Sequence, residues 1–308
     1  MLRIYILISL AALLTLAGCD LYPQDEYREF YVVESYLVAN RTLPEIRLSR
    51  TVSLEEQYNV QEAGINNAEV EMYLLAEDGS IEETYTYQNN PGNTNSVYRI
   101  FSQELVIPGR SYRLQVTFPN NSDTLRATTL VPGDFQTVGS VADSVVYQSP
   151  QQITVTTTQS EYPGRQSYFV FSVIAAEPTE NNLTPFYRDQ VFDQDEDIED
   201  FEINSSGIIN EGNYDINSDG TLTLRVPWLA VAFYEFNAIV ANTIDDNLYD
   251  FIRSQEVQTG SGPSILPPGE IQNIIYNVEG GIGIFGSLAS DTNIVYIERS
   301  IESEEQAN

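Results

Sequence analysis

Six consecutive residues, Asp215-Ile216-Asn217-Ser218-Asp219-Gly220, place oxygen-bearing side chains at alternate positions and a glycine at the sixth. That spacing is the first half of a calcium-binding loop, where positions one, three and five present ligands and the glycine permits the tight turn. The twelfth position is Val226, where such a loop carries a bidentate carboxylate. A closing carboxylate would have to come from elsewhere, and Asp193, Asp195, Asp197, Glu199 and Asp200 lie in the same acidic segment. That run has the alternation of a calcium loop itself, with Ile198 where glycine is required. Were calcium held here, its ligands would be Asp215, Asn217 and Asp219, joined by Asp195 and Asp197. The reading the sequence favours is an Asn/Asp/Gly hairpin turn ahead of a strand at Leu222, with 193–200 as a solvated acidic loop and no cofactor.

Other chemistry is excluded by what the chain lacks. It has 308 residues, 45 Asp plus Glu, 14 cations and no His, for a formal net charge of −31. All the cations are Arg. Without His there is no Ser–His or Cys–His nucleophile pair and no imidazole-bound zinc. Without Lys there is no Schiff base and no phosphate loop of the usual kind. Nucleic acid is excluded as a partner, because affinity for it comes from cations neutralising phosphates. Paired carboxylates suit glycoside hydrolysis, but chance pairs are unavoidable among so many acids. The expectation is a protein that is not an enzyme. The acids are spread along the whole chain, so the charge reads as a solvation trait rather than one binding surface. With 42% hydrophobic residues, including 20 Tyr and 13 Phe, there is material for a packed core.

The single cysteine is placed informatively. Arg3 precedes an apolar run from Ile4 to Leu16, which leads into Leu16-Ala17-Gly18-Cys19. The run is short for a membrane span of about 20 residues and fits the apolar core of a secretory signal. Cys19 after Leu-Ala-Gly resembles a bacterial lipobox, in which the signal is cleaved before a cysteine that carries fatty acyl chains such as palmitate. Several acyl chains give stable anchoring without a spanning helix. The expectation is a signal peptide over 1–18, an acidic tether over 19–29, and a membrane attachment through Cys19.

From Phe30 onward the hydrophobic period is two. Ile46 and Leu48, then Val70, Met72 and Leu74, then Tyr112, Leu114, Val116 and Phe118, alternate with polar residues. This is the pattern of half-buried antiparallel strands. Turn signals at Asp78-Gly79, Asn90-Pro91-Gly92, Pro108-Gly109, Pro119-Asn120 and Pro132-Gly133 separate them. The predicted class is all-β, with two β-sandwich-like domains, the first immunoglobulin-like or prealbumin-like. They are expected over 30–133 and 134–301, with an acidic insertion at 177–219 and a polar tail at 302–308. One short helix is expected in the second domain, from Asp245 to about Gln258, because Leu248, Phe251 and Ile252 share a face. Residues Asn277 to Gly286 hold four glycines interleaved with Ile282, Ile284 and Phe285, which predicts a closely approached strand or bulge. Trp228, after Pro227, is the one ring singled out as a stacking surface.

Several of these motifs together resemble one family. They are the lipobox, Tyr31-Val32-Val33-Glu34-Ser35-Tyr36, Ile46-Arg47-Leu48-Ser49-Arg50-Thr51, Asn67-Ala68-Glu69-Val70, Asp246-Asn247-Leu248-Tyr249-Asp250-Phe251, and Glu279-Gly280-Gly281-Ile282-Gly283-Ile284-Phe285-Gly286. Jointly they are similar to the domain-of-unknown-function family 4249 of Bacteroidota outer-membrane lipoproteins. The family has no established activity, so the resemblance carries over no catalytic residue. It implies an outer-membrane lipoprotein, facing the periplasm or the surface, that works beside a TonB-dependent transporter. The expected function is a non-catalytic accessory or ligand-binding partner of that transporter. The alternative is a calcium-stabilised surface structural or adhesion module.

Overall fold

The computed structural model describes residues 27–89, 96–119, 122–139, 141–194, 196–209, 215–259 and 273–300. The signal peptide, Cys19, most of the tether, the 90–92 turn, Asp195, the Gly/Pro segment at 260–269 and the tail at 302–308 lie outside them. The described chain is all-β. Its first half forms β1 (Tyr31–Val38), β2 (Ile46–Arg50), a single helical turn α1 (Val60–Ala63), β3 (Glu69–Leu75), β4 (Ile81–Asn89), β5 (Val97–Arg99), β6 (Ser111–Thr117) and β7 (Thr124–Leu130). The second half forms β8 (Ser144–Val146), β9 (Ile153–Thr157), β10 (Tyr168–Ala175), α2 (Pro185–Gln194), β11 (Ile203–Ser205) and β12 (Asp215–Ile216). It continues with β13 (Leu222–Val226), β14 (Glu235–Ile244), α3 (Asp246–Thr259) and β15 (Ile282–Glu298).

The alternation read from the sequence sets which side chains are buried. Along β6, Tyr112, Leu114 and Val116 are buried, and their neighbours are half-exposed. The strands join in the order β11-β10-β14-β15-β1-β2-β5-β4-β3-β6-β7, with β8 beside the end of β15. A separate sheet, β12-β13-β9, faces the inner side of β10, where Leu222 and Leu224 approach Phe169 and Phe171. One cluster of buried apolar side chains runs from Val33 to Ile297 through both halves.

The acidic insertion is more ordered than the sequence suggested, and the expectation of one helix is corrected by α2. Its apolar residues Phe186, Tyr187, Val191 and Phe192 are spread around the helix, so no apolar stripe announces it. Tertiary contacts hold it instead: Tyr187 packs with Leu183, Ala232 and Phe233, and its hydroxyl donates to the Leu229 carbonyl at 2.6 Å. The apolar stretch from Leu229 is also divided, with a 3₁₀ turn at Trp228–Ala230 preceding β14. Trp228 sits edge-on to Tyr147 at 5.4 Å and packs against the core.

Two features join the halves. The first is the parallel pairing of β1 with β15, from Val32↔Ile282 to Val38↔Leu288. The glycine-rich entry makes it fit. Gly283 has φ +109°, and a β-carbon there would lie 2.1 Å from the Val33 carbonyl oxygen. Gly280, at φ +81°, meets the Thr124 carbonyl in the same way at 2.6 Å. The closely approached strand expected from this segment is therefore present, with bulk excluded by the backbones of β1 and β7.

The second is a buried polar seam around Asp245, which is fully shielded from solvent. Asp245 caps α3, its Oδ1 accepting the Leu248 N–H at 2.9 Å. Its Oδ2 accepts the Thr129 hydroxyl at 2.5 Å and the Asn247 amide at 3.0 Å. The Thr129 hydroxyl also lies 2.6 Å from that of Ser287. Asn247 donates onward to the carbonyls of Thr128 and Phe285. Strands β7, β14 and β15 and helix α3 thus meet at one carboxyl. Burial pushes its pKa up to about 6, although Thr129 and the Leu248 N–H favour the charged form, and nearby Asp246 raises it further.

Two outcomes follow. Gly283→Ala is expected to cost about 2–4 kcal/mol in urea denaturation, because the β1–β15 pairing must open to admit a methyl group. Wild-type stability indicates that the close approach is dispensable. Asp245 has a folded-state pKa above its unfolded value of 3.8. Its contribution is therefore greatest below the unfolded value and is lost as pH rises through about 6. Asp245→Asn, which stays neutral, is expected to gain on wild type by about 1–2 kcal/mol between pH ~5 and pH ~7.5. Parallel stability curves for the two proteins would contradict the buried charge.

Candidate functional site

Among the described residues a cleft lies where the linker between the halves meets the loop joining β9 to β10. It is open, has a volume of about 680 Å³, and is walled by Pro108, Gly133, Tyr162, Arg165, Ile216 and Leu222 among others. Gly133 is drawn in closely: a β-carbon there would be 2.8 Å from the Glu161 nitrogen. Tyr162 and Arg165 line its floor, and Tyr168 backs Arg165 from behind. The Arg165 guanidinium lies 3.8 Å from the Tyr162 ring centroid and 4.0 Å from that of Tyr168. Its Nε binds Asp246 Oδ1 at 2.6 Å, Nη1 donates to the Gln166 carbonyl at 2.9 Å, and Nη2 donates to the Ile244 carbonyl at 3.0 Å. Tyr162 accepts the Asp246 N–H at 3.3 Å, and burial raises its phenol to about 12. The cleft floor is thereby bonded directly to the start of α3, one residue from Asp245.

The hydroxyls nearby are committed to the backbone. Ser160 donates to the Gly133 carbonyl at 2.5 Å, and Ser167 donates to the Ser160 carbonyl. Ser160 also meets the Thr243 hydroxyl at 3.1 Å. A nucleophilic serine needs a base within hydrogen-bond reach, and these two bond to carbonyls. Both rings and the guanidinium are fixed before any ligand arrives, which limits the ordering cost on binding. A smaller groove of about 470 Å³ crosses β1 and β2 beside Glu34, Arg47, Arg50 and Tyr58.

The residues that would hold calcium are distributed differently. Asp215, Asn217 and Asp219 lie in the β12–β13 hairpin, on the rim of the cleft that Ile216 lines. Asp215 pairs with Arg225 at 3.0 Å. The Asn217 amide donates to the hydroxyls of Thr221 and Thr223, both at 2.8 Å. Asp219 accepts from the Thr221 hydroxyl at 2.7 Å and its N–H at 3.0 Å, which lowers the Asp219 pKa. Gly220 supplies the left-handed turn at φ +83°. Val226 is buried in β13, and Asp197 starts a 3₁₀ turn, its carbonyl accepting from Asp200. Among the described residues no group of three carboxylates converges. The three hairpin residues come together as a turn, and Asp195 lies outside the described residues.

Arg165, Tyr162 and Asp245 went unrecognised as a unit in the sequence. Asp245 was legible only as an acid suited to a helix start. Tyr162-x-x-Arg165-x-x-Tyr168 is a spacing that a search for ring–cation contacts could find. Calcium at the hairpin would have to draw Asp215 from Arg225 and Asp219 from Thr221. Millimolar calcium is accordingly expected to leave the melting temperature unchanged. A rise of several degrees that Asp219→Asn abolishes would establish a calcium site there.

No curated protein matches the chain. Among solved structures it is similar to a tetra-tandem repeat in the extending region of a large adhesion protein, at 11% identity and a TM-score of 0.23, covering 88% of this chain and 49% of that one. It also aligns with trypsin-activated alpha-2-macroglobulin from Escherichia coli, at 6% identity and a TM-score of 0.22, over 72% of this chain and 15% of that one. A third likeness is to three N-terminal domains of the bacteriophage RB49 outer capsid protein Hoc, at 10% identity and a TM-score of 0.21, covering 88% and 71%. The chain spans about half the length of the first and under a sixth of the second. The family is clear where these likenesses are faint: the profile described as Domain of unknown function (DUF4249) matches residues 20–294, and the chain belongs to that family.

Proposed function

We propose that this chain is a lipid-anchored protein of the cell envelope, attached to the outer membrane through Cys19. There it acts without catalysis as a ligand-binding accessory of a TonB-dependent transporter. The observation that carries the reading is the prior commitment of the cleft's polar groups. Ser160 and Ser167 bond to carbonyls, and Arg165 is held by Asp246 and two backbone carbonyls between two rings. With no His or Lys in the chain, the commonest bases and nucleophile activators are missing as well. The anchor is supported by the chain's single Cys falling directly after Leu16-Ala17-Gly18. The transporter is what the family resemblance carried by the chain's motifs implies.

Cells fed an alkyne analogue of palmitate are expected to label the wild-type protein and leave Cys19→Ser unlabelled and outside the membrane fraction. An unlabelled wild type overturns the anchor. Mild detergent extraction followed by affinity purification is expected to bring down a TonB-dependent transporter at near-equal amounts. Purification without one overturns the accessory role.

A further inference from the structure

The outer face of the sheet in the second half is covered unevenly. Helix α3 packs over one end, where Leu248, Tyr249 and Ile252 meet Tyr168, Val170, Ile244, Ile284 and Leu288. Beyond its reach no helix or strand among the described residues covers the same face. One row runs across four strands through Ile203, Ile174, Ala238 and Ile294, which the strand register places side by side. The neighbouring row on one side is Ser205, Ser172, Val240 and Thr292. On the other side Phe236 meets Tyr296 edge-on at 4.9 Å. Ile203, Phe236 and Ile294 are each more than half exposed.

None of these positions is charged, in a chain of net charge −31. Strand spacing gives the face about 20 Å by about 15 Å, or on the order of 300 Å². That is about the size of the largest apolar patch on an ordinary monomer, which is often functional. Acids stand at the ends of its strands: Glu177 two residues after β10, Glu202 before β11, Asp143 before β8 and Glu298 at the end of β15, where the next residue, Arg299, is bonded to the Asn181 carbonyl and set over the Tyr234 ring. This distribution selects the occupant. A second copy would set one acidic border against another, with like charges opposed around a small apolar centre. A partner with an apolar centre ringed by Arg or Lys meets both demands, burying Ile294 and Phe236 and pairing with the border.

We infer that the exposed face of β11, β10, β14 and β15 docks a second protein whose contact patch is apolar within a basic rim. Resting on the accessory role proposed above, the inference names that protein as the transporter. Helix α3 already shows how apolar side chains cover this sheet, and the partner extends that cover to the remaining rows.

The probe is the transporter recovered with the lipoprotein, purified in detergent and titrated against immobilised wild type and variants. Ile294→Glu and Phe236→Glu are expected to weaken binding tenfold or more. Phe101→Glu, at a still more exposed ring in the first half, is expected to leave it unchanged. Ile294→Thr keeps a strand-forming residue without a charge and is expected to weaken binding less, with melting unchanged. Wild-type affinity is expected to fall as salt rises from about 50 mM to about 500 mM, as the basic rim is screened. Equal affinities for wild type and both face variants overturn the inference and leave the accessory role intact. Recovery of no transporter overturns both. Sedimentation showing a wild-type dimer that Ile294→Glu dissolves assigns the face to a second copy and overturns the inference.

Discussion

The constraint on which the rest depends is the side-by-side packing of the first strand and the last. A parallel pair needs a long crossover between its strands, and here the crossover is nearly the whole protein. Every element from β2 to α3 is built inside the loop that β1 and β15 close. The entropy of closing so long a loop grows only slowly with its length, but the geometry at the closure is demanding. Glycines at 280, 281 and 283 meet it by letting the carbonyls of Thr124, Tyr31 and Val33 come within distances that a β-carbon would forbid. Once that contact is made, β15 continues past β1 to pair with β14 and β8. One seventeen-residue strand thereby serves both halves.

Asp245 is placed where that strand, the end of β14 and the edge strand β7 converge. A hydrophobic residue could fill the same volume, but it could not cap α3 and bind Thr129 together. Burying the carboxyl costs stability at neutral pH, and the return is directional. Its bonds to Thr129, Asn247 and Leu248 admit only one placement of β7 relative to the helix. The cleft inherits that rigidity, since Arg165 bonds the residues on both sides of Asp245 in the chain.

The strand pattern was legible because period-two alternation in β3 and β6 directly encodes a sheet with one wet face. The glycine-rich approach and the helix at Asp246 were legible for similar reasons, each resting on local chemistry. What could not be read was long-range. Helix α2 owes its existence to Tyr187 finding a pocket formed by Ala175, Ala232 and Phe233, residues both before and after it in the chain. The parallel partnership of residues 32–38 with 282–288 leaves no trace in either segment alone. The cleft combines residues separated by more than a hundred positions, and neither Tyr162 nor Arg165 is unusual in isolation. The calcium-like spacing at 215–220 illustrates the converse. A local pattern of alternating oxygens describes a ligand loop and an Asx-rich hairpin equally well, and only Arg225, Thr221 and Thr223 decide which partners the side chains take.

The net charge acquires a different meaning once the surface is mapped. Read along the sequence, the acids are a solvation trait, since they are scattered without a centre. On the folded chain their absence from one place is the informative feature. Excess charge of one sign keeps copies of a protein apart, which lets an apolar face remain exposed without the chain assembling on itself. The same charge admits only partners of opposite sign at the border. Strong general acidity and a local neutral face therefore work together: one suppresses self-association through the surface that the other leaves open, and both favour a basic-rimmed partner over another copy of this chain.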